Sequence, residues 1–263
     1  MSQSPTSERS GSIDRRRILQ GAAWTVPVVA VAAVAPGASA SPCTLQYPGS
    51  VRFQATTGAG AQPVNYTRGA GNSTTAGSAP VTLVGAPAQV TPLNVTFTSS
   101  AISAGYTRAA SNFSISTPTV AGGGAGTQGR FTIQQTSPAG ATGANIGQTV
   151  TINFGRPVRN LQFDILGFTR SSATYSDAAV LTGGTFTVGA TGSQVSGLGT
   201  ATSPWVTTAE NASQGQTTAA NSVTGVTFAG PVSSITLRYY STAGTGQGQA
   251  IFLSNMTFTA SCF

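Results

Sequence analysis

The chain has 263 residues but only twelve basic side chains, all Arg, and five acids: Glu8, Asp14, Asp164, Asp177 and Glu210. It has no His and no Lys, which excludes a Ser-His-Asp or Cys-His centre, a His-bound metal, a Schiff base and a P-loop lysine. Gly contributes 33 residues, and small apolar and hydroxyl side chains fill most of the rest.

A Ser-rich opening leads into Asp14-Arg15-Arg16-Arg17-Ile18-Leu19-Gln20. This resembles the twin-arginine (Tat) export signal of bacteria: a polar residue, two Arg, any residue, an apolar pair and a polar residue. The resemblance implies that Arg15 and Arg16 are the pair read by the Tat translocase and that Ile18 and Leu19 are the apolar pair. Gln20 stands where that signal often has Lys. An apolar stretch of about 15 residues runs from Gly21 to Pro36 and carries Pro27, whereas a spanning helix needs roughly 20. Ala38-Ser39-Ala40 then supplies a small-x-small cleavage pattern. Residues 1–40 are therefore expected to be a signal peptide cleaved after Ala40. The rest is expected to be secreted or in the cell envelope, and not membrane-spanning. A membrane anchor and lipidation of Cys43 are the alternatives. The short apolar stretch speaks against the first. Pro42 and the missing bulky aliphatic residue speak against the second.

Residues 41–263 retain eight Arg and three acids, a formal charge of +5, so Thr, Ser, Asn and Gln must solvate the surface. Their length suits a single β domain, with two stacked parts, 41–147 and 148–263, as the alternative. The only cysteines are Cys43 and Cys262. In an oxidising compartment two cysteines read as one disulfide, which would tie the ends together and make the first and last strands neighbours.

No segment after residue 40 keeps a helical period. Short alternating runs rich in Val, Ile, Thr and Phe recur between Gly, Pro, Ser and Asn clusters. They predict strands at 51–57, 81–84, 93–98, 112–116, 130–136, 148–154, 158–166, 178–182, 185–188, 225–229, 233–241 and 250–260. A dozen strands without helices predict an all-β fold, a β-sandwich of jelly-roll-like kind. One pattern occurs twice at an offset of 74 residues. Ile152-x-Phe154-Gly-Arg-Pro157-Val158-x-x-Leu161-x-Phe163-x-Ile165 returns as Val226-x-Phe228-Ala-Gly-Pro231-Val232-x-x-Ile235-x-Leu237-x-Tyr239. Each copy reads as a strand, a corner marked by Pro, and a second strand whose alternate apolar residues face inward. Asp164 and Arg238 take equivalent outward places. This unit, followed by Asp177-Ala-Ala-Val and closed by Gln249-Ala-Ile-Phe-Leu-Ser-Asn-Met-Thr-Phe, resembles a β-sandwich module of bacterial secreted and surface proteins of the actinobacterial type. The resemblance spans about residues 148–260. It implies a calcium-binding acidic cluster after the Pro-Val strand. Here that place reads Asp164-Ile-Leu-Gly167-Phe168, short of the family's further acids.

The remaining candidates are few. Gly124-Ala-Gly126-Thr-Gln-Gly129 matches the dinucleotide pattern but opens into Arg130-Phe-Thr-Ile, a strand, so a loop is expected. The Arg residues are too dispersed for nucleic-acid binding. Asp164 and Asp177 are the weak calcium candidates. The acids could also serve a carboxylate-based or metal-dependent hydrolase, though three are a thin basis for catalysis. Trp205, the only Trp after residue 40, is expected in the core or anchoring a loop. The alternative is a glycan-stacking surface shared with Tyr106, Tyr175 and Tyr240. Six Asn-x-Ser/Thr sequons carry no information in a bacterial exported chain. The reading is a non-enzymatic structural or adhesive protein without a cofactor. A carbohydrate-binding module for cell-wall or extracellular glycans is the alternative.

Overall fold

In the computed structural model the described residues are 45–58, 60–100, 105–120, 128–136, 139–140, 142–143, 147–171, 174–210, 215–244 and 248–262. All belong to one compact unit, Cys43–Phe263. Ten strands have six residues or more: β1 (Gln46–Val51), β2 (Ala76–Val81), β3 (Leu93–Ser99), β4 (Arg130–Thr136), β5 (Gln148–Leu166), β6 (Tyr175–Thr182), β7 (Val223–Phe228), β8 (Val232–Gly244), β9 (Gly248–Leu253) and β10 (Met256–Ser261). They pair antiparallel, and among the described residues there is no helix. The fold is all-β and arranged as a sandwich.

The backbone of the architecture is β5, nineteen residues long. Its first half pairs with β3 on one side and with β8 on the other. Its second half pairs with β10 and with β7. The partners change around Gly155-Arg156-Pro157, which is the predicted corner; Gly155 supplies a φ of +74° there. One layer therefore runs β2, β3, β5, β8, β6. In the other, β9 and β10 form one line with β5 along one side and β4 and β1 along the other. Strands from 41–147 share both layers with strands from 148–263. The first and last strands are neighbours, as expected: Gln46 pairs with Ser261.

Alternation fills the space between the layers. Leu161, Phe163 and Ile165 of β5 and Ile235, Leu237 and Tyr239 of β8 are all buried, as the repeated pattern predicts. Five rings pack at the centre. Phe131 of β4 lies 5.2 Å from Phe53, 5.3 Å from Tyr66, 4.9 Å from Phe97 and 4.9 Å from Phe113, centroid to centroid.

Several predicted boundaries are corrected. The strand expected at 51–57 is β1, which ends at Val51. Beyond it, side-chain amides replace the ladder: Asn65 Oδ1 accepts from Arg52 N–H, and Asn255 Oδ1 from Phe53 and Gln54 N–H. β1 and β2 were hidden by Pro48 and Pro80. Pro48 is tolerated because β1 pairs with β10 alone. Pro80 is tolerated because the far side of β2 is paired only at Gly77 and Ser78. The strand expected at 81–84 is the end of β2, and Val84 N–H instead donates to Pro48 O. Of 112–116 only Ile115–Ser116 is strand, because Phe113 takes a φ of +65° in the preceding turn. The runs 148–154 and 158–166 are one strand, and 250–260 is two, broken at Ser254-Asn255. At 185–188 there is only the single bridge Thr187↔Thr227.

The ring cluster sets a testable expectation. Phe131→Ala removes the ring that touches four others, and should lower the unfolding free energy by about 3–5 kcal/mol in urea titrations. Replacing exposed Ile115 with Ala should change it by less than about 0.5 kcal/mol.

Candidate functional site

Strand β6 brings the predicted site residues near one another, but not as an open surface. Asp177 on β6 is fully buried. Its Oδ1 accepts from the Tyr239 hydroxyl at 2.6 Å, and its Oδ2 accepts from Thr169 N–H at 2.7 Å and Thr169 Oγ1–H at 3.0 Å. Thr169 follows Gly167, whose φ of +81° turns the chain out of β5, and Thr169 O takes Asp177 N–H in return. Thr207 Oγ1 donates to the carbonyl of Thr169 or Asp177, and the Tyr175 hydroxyl lies 3.3 Å from Thr169 Oγ1. Burial pushes the Asp177 carboxyl up from 3.8 to about 7, and the Tyr239 and Thr169 hydrogen bonds oppose part of that rise. Burial first, and the Asp177 carboxylate second, push the Tyr239 phenol well above its ordinary value.

A band of buried amides continues the polar end of the core. Gln135 Nε2 donates to Tyr239 O, and Gln249 sits directly opposite Gln135 across the β4–β9 ladder. Gln148 Oε1 accepts from Ser99 Oγ–H and Asn112 Nδ2–H. Asn112 also donates to Thr74 O and accepts from Gln134 N–H. Three of the sequon asparagines, Asn65, Asn112 and Asn255, are thus structural staples. Their pairing to distant backbone leaves no trace in sequence spacing.

Asp164 is elsewhere. Its Oδ1 accepts from Gly225 N–H at 2.8 Å, which the bulge in β7 aims at it, and its own N–H donates to Ser254 Oγ. Asp164 and Asp177 share no hydrogen-bond partner, and three of Asp177's lone-pair sites already accept hydrogen bonds. Among the described residues no group of three His, Cys, Asp or Glu comes together. Glu210 forms a surface ion pair with Arg170 at 3.2 Å, with both side chains well exposed.

Trp205 follows Pro204 and begins the strand Trp205–Thr207, which pairs with β6 at Ala179. The indole is fully buried, so the core reading holds and the stacking reading does not. Gly199 lies so close over it that a Cβ would come within 2.5 Å of the ring. Tyr106, Tyr175 and Tyr240 are buried as well. Tyr106 takes a hydrogen bond from Ser241 N–H, and Tyr240 packs with Ala178 and Val180 on the other face of β6. None of the four offers an open ring to a sugar.

Beside Trp205 lies a groove of about 740 Å³ that the sequence did not reveal, bounded by residues 184–191, 197–198 and 200. Its apolar walls are Phe186, Val188 and Leu198. The Phe186 ring stands 5.7 Å from Trp205 and 5.4 Å from Phe228. The groove is built from one local stretch, residues 184–205, whose turns and short bridges carry no periodic signal that could have found it.

The export-signal residues Arg15, Arg16, Ile18, Leu19, Ala38 and Ala40 lie outside the described residues, as do Cys43 and most of the Gly124–Gly129 loop. Gly129 itself leads into β4, a strand. No helix among the described residues is long and apolar enough to cross a membrane. Comparison with family models, with curated proteins and with solved structures finds no match to the chain.

The Asp177 geometry predicts a pH dependence. The unfolded chain releases this proton near 3.8 and the folded protein near 7, so the folded state binds more protons between those values. Stability attributable to Asp177 is then fully present below about pH 4, falls as pH rises to about 7, and is level above. The urea midpoint should drop between pH 4.5 and 7.5. In Asp177→Asn, which cannot ionise, that drop should shrink or vanish.

Proposed function

We propose that residues 41–263 form an exported, non-enzymatic β-sandwich protein that acts in the bacterial envelope or extracellular space as a structural or adhesive module. The observation that carries this reading is the employment of its three acids. Asp164 pins the β7 bulge, Asp177 is sealed inside the core, and Glu210 pairs with Arg170. No pair of carboxylates is left facing a cleft, as glycoside hydrolysis would need. The twin-arginine pattern at Arg15-Arg16, the cleavage pattern at Ala38-Ser39-Ala40 and a surface solvated by hydroxyls and amides support the location. The Tat translocase is then the partner during export, and cell-wall polymers are the partners afterwards. A glycan-binding role gets no support from Trp205, Tyr106, Tyr175 or Tyr240, whose rings are all buried.

A disulfide between Cys43 and Cys262 belongs to the same reading. The Gln46↔Ser261 pairing starts the β1–β10 ladder within a few residues of both cysteines. On chain-entropy grounds a bridge closing so long a loop stabilises by up to about 5 kcal/mol.

The export test compares the wild-type chain with the Arg15→Lys, Arg16→Lys double variant in the producing cell. Wild type should appear outside the cytoplasm with Ser41 as its first residue, and the variant should stay inside uncleaved. The exported protein should then be retained saturably on the producer's own cell wall. Cytoplasmic wild-type protein would refute the location, and absence of retention would refute the adhesive role. Separately, thiol labelling of denatured exported protein should find no free cysteine, and Cys43→Ser should lower its unfolding midpoint.

A further inference from the structure

The groove beside Trp205 has three properties of a ligand site. First, no ionisable side chain lines it: the walls are Phe186, Val188 and Leu198, and the polar groups at its edge are Thr hydroxyls. A charged occupant would lose its hydration with nothing to pair with, so the chemistry selects an uncharged one. Second, about 740 Å³ lies within the range of small-molecule pockets. Third, the indole nitrogen of Trp205 is buried and has no hydrogen-bond partner among the described residues. A buried donor without an acceptor is costly, and Trp205 is one of the residues that bound the groove.

The rim and the cover fit the same use. Leu198 is 69% exposed, the most exposed large apolar side chain among the described residues. It sits at the groove's edge with its backbone N–H fixed to Ser203 O. Across from it, residues 184–189 form a strap. Thr187 exchanges two hydrogen bonds with Thr227, and Gly189 N–H reaches the carbonyls of Thr224 and Gly225. The strap starts at Gly183, with a φ of +120°, and ends in the two-residue ladder Ala190↔Thr224, Thr191↔Val223; between them Thr187 makes its single bridge. A second hollow of about 280 Å³ shares residues 184–187 and is otherwise bounded by Thr227 and residues 229–232. Phe186 therefore borders open space in both hollows.

We propose that this groove binds one uncharged, mostly apolar small molecule that carries a carbonyl or ether oxygen. The apolar body lies between Leu198 and the Phe186 strap, and the oxygen accepts from the Trp205 N–H as the strap yields. A cell-wall sugar is the wrong occupant, because Gly199 covers the indole and denies it a stacking face. The site goes beyond the envelope reading and does not depend on it, since binding can be measured whether or not the protein is exported.

The test uses the full chain with Trp24→Phe, so that Trp205 is the only indole. The probe is Nile red, which is uncharged, flat and carbonyl-bearing. Titration should quench Trp205 emission saturably at one probe per chain. The anionic dye anilinonaphthalene sulfonate should fail to do so. Leu198→Asp places a carboxylate at the rim of the groove and should weaken Nile red binding roughly tenfold or more. Because Leu198 is exposed, the variant should keep the unliganded Trp205 emission maximum, which verifies its fold. Phe186→Ala, which empties the cover, should also change the affinity. Absence of saturable quenching, equal affinity in Leu198→Asp, or equal binding of the anionic dye would each overturn the proposal.

Discussion

The structure depends on β5 remaining one strand through a proline. Pro157 has no N–H to donate, yet β5 keeps its direction because the partners change there instead of the chain stopping. Asn153 Oδ1 holds Gly155 N–H, and Gly155 and Asn160 take the positive φ values that steer the backbone from one layer to the other. Val158 pairs with Val232, its counterpart in the repeated pattern 74 residues on. Two copies of a strand-corner-strand unit therefore face each other about a local two-fold axis. The symmetry is approximate: Ile152 pairs with Ile235, whereas Leu161 pairs with Phe228 rather than Val226. The irregularity on β5 between Asn153 and Val158, which lies opposite Val232–Ser234 of β8, absorbs that slip. Each layer's register is thus tied to the other's, and a one-residue shift in either would turn the apolar faces outward.

Scarcity of charge is the second organising fact. With Arg170–Glu210 as the one ion pair among the described residues, the chain fixes its loops with amides and hydroxyls. Asn65 and Asn255 take over backbone N–H groups where β1 ends, and Asn112 links a turn to β4 and to Gln148. Asp177 is the costly member of this set. A carboxyl sealed from water is kept by the Tyr239 and Thr169 donors and is raised toward neutrality by burial. Such a network specifies how β6, β8 and Thr169 meet. The same residues that look like reaction chemistry in the sequence are consumed by assembly.

That division explains what was legible in the sequence. Alternation identified β3 and β4 almost to the residue, and it placed Leu161, Phe163, Ile165, Ile235, Leu237 and Tyr239 inward. Pattern of this kind is local, and burial enforces it. Propensity failed where context overrides it: Pro48 and Pro80 argued against strands that exist because their proline positions face unpaired edges. The run at 185–188 alternates like a strand but finds only one bridge. Trp205 and the three tyrosines show the limit for function. An aromatic residue that is far from its partners in sequence reads equally well as platform or core, and only the Ala179 pairing and the Gly199 cover decide it. Asp177 carried a weak signal, since it stands beside Ala178, Ala179 and Val180 in a run too apolar for a surface strand.

Strand β6 is where core and groove meet. On one side it pairs with β8 along most of its length, and on the other it meets only short pieces: Arg170–Ser171, then Val206 and Trp205, with Leu181 N–H donating to Gly199 O. Trp205 is thus anchored through the weaker edge, backed by Gly197 and Gly199, whose positions leave no room for a side chain. Rigid packing below and sparse hydrogen bonding above is the arrangement in which a cover can yield while the wall beneath keeps its shape. Phe186 belongs to the cover and touches Phe228 of β7 as well as Trp205. A displacement of its ring is therefore felt at two strands whose registers are fixed elsewhere, by β5 and by β6, and this confines the motion to the strap.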